Sequence, residues 1–482
     1  MIQKKRGFKM ETRGCFIDGG WVATAEKLEV LSPWSGEVVG EVSLAGPGEW
    51  EAAILAALRA AMTLRNMSSQ ERRQKLGALM AGVKERQGEL TQTIVAEGGK
   101  PITYARAEIS RGIMTLALAA GEAERLGGEV LPLDLTRSSA GRWGITRRFP
   151  VGPVLGITPF NFPLNLVLHK VAPALAVGNP IIIKPSSACP LTALKLAEIW
   201  DQAGLPAGGL QVLPSLSRLA EAPVADDRLK VLSFTGSAAV GWDLKGKAGK
   251  KRVILELGSN SACIIDAGAD LAWAARRAAI GAFAHAGQVC IAVQRLLVHR
   301  EVYEPFKALF LQTIEGEILA GDPAREETVV GPLIDAQAAA RVREWVQEAR
   351  DGGARLAAGN PGTGNLMPAI VLEGVSREMK VWSQEVFGPV VVLASFDDFS
   401  QALAMANDSD YGLQAGVFTP NLAHAWQAFE TLEVGGVIIN DAPVFRVDNM
   451  PYGGCKASGL GREGVRYAME ELTEVRLLAL KT

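Results

Sequence analysis

The sequence has no apolar run approaching the roughly 18–20 residues of a membrane-spanning helix, so no segment is expected to cross a bilayer. Cysteine is scarce. Cys15, Cys189, Cys263, Cys290 and Cys455 are the five in 482 residues, odd in number, scattered, and without a C-x-x-C pair. That excludes a disulfide framework and fits a reducing, cytoplasmic compartment. The four histidines, His169, His285, His299 and His424, form no H-E-x-x-H, and no metal site is expected. An excess of one charge is also missing. Fifty Lys+Arg face 52 Asp+Glu, a net charge of −2, and the longest basic run is Lys4-Lys5-Arg6. No nucleic-acid partner is expected from such a balance. The first 20 residues start basic but lack the apolar core of a secretory signal. Neither an internal repeat nor a low-complexity linker is visible.

What is present is ordinary globular composition, 48% hydrophobic and 21% charged. At roughly 100–200 residues per domain, the length allows two to four domains, with three the central expectation. After a strand-rich start near 16–42, periodicity predicts helices over 50–62, 70–96 and 104–126. The polar stretch 131–150 reads as a projecting hairpin. From Val151 strand and helix alternate: strands over 154–158, 180–183 and 229–234, helices over 164–176, 191–203 and 238–246. A second α/β set is expected from Arg252 to about Phe445, with strands near 253–257, 262–265, 296–299, 390–394 and 436–439 and helices near 271–284, 304–315, 336–350 and 399–406. Short apolar strands separated by helices imply parallel sheets covered on both faces. A last strand, 473–479, has no neighbour in sequence and suits an edge or a subunit bridge.

Two glycine motifs fail on context. Gly459-Leu-Gly461-Arg-Glu-Gly464 matches G-x-G-x-x-G, but too little chain follows for a βαβ unit. Gly241 to Gly246-Lys247 approaches a P-loop, yet Ala248 stands where a magnesium-holding hydroxyl belongs. The informative residues are Asn161, Lys184, Glu256, Cys290 and Glu385, each beside a Gly- or Pro-marked turn near a strand end. A cysteine with a lowered pKa or a neighbouring base is a strong nucleophile. A side-chain amide can stabilise an oxyanion. In isolation, though, a buried cysteine is ordinary packing.

The segments around these residues resemble the aldehyde dehydrogenase superfamily, in order and over nearly the whole chain. They are Ile157-Thr-Pro-Phe-Asn-Phe-Pro-Leu164, Lys184-Pro-Ser-Ser187, Ser233-Phe-Thr-Gly-Ser237 through Gly241, Leu255-Glu-Leu-Gly258, Gly287-Gln-Val-Cys290, Glu385-Val-Phe-Gly-Pro389 and Pro451-Tyr-Gly-Gly454. The resemblance implies an α/β fold: a Rossmann-like cofactor domain (1–130 and 151–251), an α/β catalytic domain (252–445) and a small β bridging element (131–150 and 465–482). It implies a homodimer or homotetramer acting on a small-molecule aldehyde with NAD or NADP. Cys290 would attack the carbonyl, and the Asn161 amide with the Cys290 N–H would stabilise the oxyanion. Hydride loss would leave a thioester, for which Glu256 would activate water. Thr158, Pro159, Lys184, Ser187, Gly236, Ser237, Val240, Glu385 and Phe387 would contact the cofactor. Lys184 and Glu385 would meet its riboses, and Ser237 its pyrophosphate at a helix N-terminus.

Departures from the family pattern carry further expectations. Ser187 stands where many NAD-preferring relatives have Glu, which removes a repulsion against a 2′-phosphate and admits NADP. The stretch Leu213-Pro-Ser-Leu-Ser217 lacks the glycines common near the adenine pocket. His285 replaces a frequent Asn, either tuning the thiol or supporting its loop. Glu256 favours hydrolysis over transfer to coenzyme A. The segments around His169 and Phe445-Arg446-Val-Asp-Asn-Met450 resemble the branch of lactaldehyde, phosphonoacetaldehyde and non-phosphorylating glyceraldehyde-3-phosphate dehydrogenases. Arg111, His169 and Arg446 are therefore candidate substrate contacts, the alternative being that the arginines tie loops to the body. Val289, where phosphonoacetaldehyde enzymes tend to place Arg, favours a smaller or less charged substrate. Three rivals remain: a coenzyme A-acylating dehydrogenase, a thiol hydrolase pairing Cys290 with His285, and a non-catalytic protein that keeps the fold.

Overall fold

Strands without polar alternation must be covered on both faces. The computed structural model describes residues 12–482 and builds them so. The Lys4-Lys5-Arg6 run and the first half of the segment read for a signal lie outside the described residues. Val154–Ile157, Ile181–Lys184 and Val231–Thr235 are buried throughout. They centre an eight-stranded sheet in the order 459–460, 252–256, 231–235, 154–157, 181–184, 210–212, 15–17, 20–22. The five strands from 252–256 to 210–212 run parallel. Helices Asn165–Val177, Leu191–Gln202 and Ala238–Lys247 connect them. The strand at 252–256, read above with the second α/β set, belongs here, because it pairs residue for residue with 231–235.

A seven-stranded sheet follows, in the order 355–358, 370–373, 390–396, 295–299, 262–265, 414–418, 436–439, parallel except at its first strand. Strands 355–358, 370–373 and 414–418 were not anticipated. Gln414–Phe418 carries a Gln and a Gly, weak strand formers, both buried. Yet Gln414 Nε2 donates to the carbonyls of Pro443 and Phe445, and a Cβ on Gly416 would sit 2.7 Å from the Asp441 carbonyl oxygen. Tertiary contact overrides the local signal. The C-terminal strand Thr473–Lys481 finds its neighbour across the chain, pairing antiparallel with Arg142–Pro150, which also pairs with Val130–Pro132. The expected helix over 70–96 is two, Ser69–Glu85 and Gln87–Gly98, broken at Arg86.

The failed motifs are structural. Gly459 passes so close to the strand beside it that a Cβ would lie 2.5 Å from the Leu255 carbonyl oxygen. Lys247 pairs with Asp243 and Glu221 at an exposed helix end. Among the described residues no helix is long and apolar enough to cross a membrane.

Two buried glutamates from the N-terminal helices fasten this framework. Helix 165–177 has no side-chain cap of its own. Glu108 supplies one from helix Ile102–Glu122, its Oε1 accepting from the N–H groups of Leu164 and Asn165 at 2.8 and 3.0 Å. Its Oε2 pairs with buried Lys100 at 2.5 Å. Glu97 does the same for helix 191–202, accepting from Leu191 and Thr192 N–H. Orphan helix N–H groups need such acceptors. Glu108→Ala strips two N–H groups and leaves a buried ammonium unpaired, so it is expected to cost about 3–5 kcal/mol. A lowered urea midpoint measures this, and an unchanged midpoint removes Glu108 as the anchor.

Candidate active site

Parallel pairing in register brings strand ends together. Ile157 pairs with Phe234 on one side and Lys184 on the other, and Thr235 pairs with Glu256. The segments that follow these ends open at one edge of the sheet, where the connections diverge to either side of strand 154–157. Open α/β sheets bind ligands at such a point. A cavity of about 470 Å³ lies there, lined by Asn161, Glu256 and Cys290 together with Pro159, Gly236, Ser237, Glu385 and Phe387. The three groups expected to do chemistry thus meet in one space.

Cys290 follows helix Leu271–Phe283 through a strained turn. His285, Ala286 and Gly287 all take left-handed backbone, with φ of 53°, 56° and 67°. Gly287 is required there, since a Cβ would lie 2.3 Å from the Gly388 carbonyl oxygen. Non-glycine residues in this region carry strain that surrounding structure must hold, and such strain clusters at functional sites. Of the buried thiols, burial pushes Cys15 up to about 12 and Cys189 and Cys263 up as well. Burial also raises Cys290, but only to about 11, because the Tyr452 hydroxyl 2.9 Å from Sγ and the Arg446 guanidinium pull it back. Arg446 sits 3.5 Å over the Tyr452 ring centre.

Asn161 lies in the loop held by Glu108. One N–H of its amide donates to the Gln288 carbonyl at 3.0 Å, which ties it to the cysteine loop. An amide nitrogen has a second N–H to offer. Glu256 is buried with neither carboxylate oxygen hydrogen-bonded. Burial first, then the Glu463 carboxylate, holds its pKa well above the usual carboxylate range. A proton-hungry carboxylate beside a thiol is what a general base requires. Behind it, Lys170 donates to Ser233, Thr235 and Glu463.

Thr158, Lys184, Ser187 and Val240, expected to contact the cofactor, do not line the cavity. Lys184 ends its strand buried, and burial alone lowers its ammonium to about 8. Ser187 is half-buried after it, and Val240 is exposed on helix 238–247. Thr158 Oγ1 is buried without a partner. Ser237 caps helix 238–247 through its backbone only and is exposed, so the first N–H groups remain accessible. Glu385 accepts from the Ser259 N–H at 3.0 Å, and burial pushes it up to about 7. It fits because residue 258 is glycine, where a Cβ would lie 2.1 Å from Oε2. Phe387, with φ of 47°, packs edge-on against Phe160. An open helix N-terminus and the Glu385 carboxylate along the cavity, with the buried Lys184 ammonium at the end of a neighbouring strand, fit a dinucleotide.

Cys290 also lines a second cavity of about 230 Å³ on its other side, with Arg111, Arg446, His285 and Tyr452. The sulfur therefore stands between two chambers. His169 does not line this one. It is buried behind it, with Nε2 2.8 Å from Asp448, so its place is to hold that carboxylate and not to touch a ligand. Arg111 forks onto the same Asp448 at 2.7 and 3.2 Å. Arg446 is 3.5 Å from Glu463. Both arginines face the cavity and tie loops to the body as well. Tyr452, Lys170 and Glu463 were missed as site residues. Tyr452 stood inside a recognised motif, but its contact with sulfur is purely tertiary.

Known proteins resemble this chain over nearly its whole length. The profile of the Aldehyde dehydrogenase family matches residues 21–478. A 3-sulfolactaldehyde dehydrogenase of Priestia aryabhattai is 43% identical over 469 residues, 97% of this chain and 98% of that protein. The crystal structure of aldehyde dehydrogenase 21 from Physcomitrella patens, in complex with the reaction product succinate, superposes with a TM-score of 0.96 at 41% identity, covering 98% of this chain and 99% of that one. A glyceraldehyde-3-phosphate dehydrogenase of Methanocaldococcus jannaschii complexed with NADP gives a TM-score of 0.91 at 36% identity over 95% of this chain and all of that one.

The Tyr452 contact is testable. Its hydrogen bond lowers the thiol pKa, so Tyr452→Phe is expected to move the pH profile of Cys290 alkylation upward and slow alkylation at neutral pH by roughly tenfold. An unmoved profile would show that the phenol does not poise the sulfur.

Proposed function

The chain belongs to the aldehyde dehydrogenase family, and from that premise we propose how its residues divide the work. The reaction is NAD(P)-dependent oxidation of a small aldehyde to its carboxylic acid. The Cys290 thiolate adds to the carbonyl carbon. The free N–H of Asn161 and the backbone N–H of Cys290 hold the resulting oxyanion, each such donor worth about 10²–10³ in rate. A nicotinamide, when bound, would supply the hydride acceptor, which no side chain can. The thioester left on Cys290 is released by water, whose proton Glu256 removes. Convergence of Cys290, Asn161 and a partnerless, buried Glu256 on one cavity supports this assignment above any other observation.

Pro159, Gly236, Ser237, Glu385 and Phe387 would hold the cofactor along the larger chamber, with Glu385 and Lys184 toward its riboses and Thr158 and Val240 from the adjoining segments. Ser187 presents no carboxylate, so NADP is accepted as well as NAD. The aldehyde enters the smaller chamber, its tail toward Arg111 and Arg446. Glu256 argues against coenzyme A as acceptor. The thiol-hydrolase rival loses its pair, since the hydrogen-bond partner of Cys290 is Tyr452 and the His285 ring has none. All five cysteines are unbridged, in keeping with a cytoplasmic protein.

The protein assembles as a homodimer or homotetramer. Helix Leu422–Thr431 exposes Trp426 and Phe429 beside the edge strand Gly436–Ile439, and strand 473–481 exposes Val475, Leu477 and Leu478. Exposed apolar patches and open sheet edges of this kind are normally covered.

Cys290→Ala is expected to abolish cofactor reduction while dinucleotide still binds, and retained turnover would move the nucleophile elsewhere. Glu256→Gln should let acyl-enzyme accumulate in rapid-quench mass spectrometry. In the wild type, the raised Glu256 pKa should make deacylation quicken as pH rises, because only the deprotonated carboxylate acts as base. A pH-independent deacylation step would dismiss the base. Trp426→Glu with Phe429→Glu should reduce the solution mass by light scattering, and a wild-type monomer would end the assembly proposal.

A further inference from the structure

Of the residues lining the smaller chamber, His285 and Arg446 hold buried nitrogens without hydrogen-bond partners: both ring nitrogens of His285, and Nε of Arg446. His285 is only 3% exposed. Few buried polar groups in native proteins stay unsatisfied, and two on one ring need a reason. Loop support is not that reason. The main chain of His285 is tied down, its N–H donating to the Val329 carbonyl and its carbonyl accepting from Gln288, while the ring bonds to nothing. The left-handed backbone at His285 and Ala286 carries this ring to the wall of the chamber that Cys290 shares. The missing partner therefore belongs to whatever fills that chamber.

The chemistry of the partner follows from the ring and its surroundings. Burial, and then the Lys100 ammonium, hold the imidazole well below its ordinary pKa, so at neutral pH it offers one N–H and one lone pair. The cations of the chamber already have carboxylates: Lys100 with Glu108, Arg111 with Asp448, Arg277 with Asp441, Arg446 with Glu463. A group that both donates and accepts, without needing a full countercharge, complements this site. A hydroxyl does so, a carboxylate only accepts, and a methyl does neither.

We propose that His285 is a specificity-determining residue whose ring hydrogen-bonds a hydroxyl on carbon two or three of the aldehyde. This rests on the aldehyde-oxidising reading above. A site built to bond a hydroxyl discriminates against the analogue that lacks it, because its polar atoms are then left unpaired.

The test compares kcat/KM for 2-hydroxypropanal, 3-hydroxypropanal and propanal, at matched free-aldehyde concentration, in wild type, His285→Leu and His285→Asn. The wild type is expected to favour at least one hydroxyaldehyde over propanal by on the order of 10- to 100-fold. His285→Leu should bring that ratio close to one. His285→Asn, which tolerates left-handed backbone and keeps a donor and an acceptor, should recover part of it. A wild-type ratio near one overturns the proposal even if the Leu variant does not fold. Equal proportional loss on all three aldehydes in the variants makes His285 scaffold and overturns it too. Absence of cofactor reduction with every aldehyde is a different result, which removes the dehydrogenase reading itself.

Discussion

In-register parallel pairing brings Ile157, Lys184, Thr235 and Glu256 to a common edge, because each strand must match its neighbour's hydrogen-bonding groups. The loops that carry Asn161, Ser187 and Ser237 can start nowhere else. The second sheet then has one task toward this edge, to deliver Cys290 and Glu385 from the opposite side. Remove the register and the residues remain, but no chamber unites them.

Burial without partners is the electrostatic theme of the site. Glu256, Asn161 Oδ1, Thr158 Oγ1 and the His285 ring are sealed from water and unbonded within the chain. A folded protein tolerates such groups only where the framework is firmly held, and here the frame is held from outside. Glu108 and Glu97 reach in from the N-terminal helices to cap two helices of the first sheet. The chamber's cations are each matched to a carboxylate, so the region carries many charges and little net field. Against this background the Tyr452 hydroxyl and Arg446 set the half-buried Cys290 apart from the buried thiols Cys15, Cys189 and Cys263.

The residues that meet at the cavity were legible because they sit in contiguous motifs at strand ends. Ile157 to Leu164, Leu255 to Gly258 and Gly287 to Cys290 each combine an apolar strand or helix end, a turn residue and a reactive side chain. What escaped had no contiguous signal. Strand 414–418 hides behind a buried Gln and a Gly that only neighbouring segments explain. Strand 252–256 was assigned by position along the chain, whereas pairing assigns it by space. His169 stands on the helix facing the site, and one turn of geometry turns a presumed contact into a support behind Asp448.

The sequence by itself determined the alternation of strand and helix, the parallel sheets it demands and the family to which the motifs resemble a match. Periodicity and short motifs are local, and locality is all a linear reading needs. Only the tertiary structure decided which side chains touch: Tyr452 on sulfur, Glu108 on a helix 56 residues away, two arginines on separate carboxylates, and a histidine ring with none. Those contacts join residues far apart in the chain, so their energies depend on packing that no single segment contains.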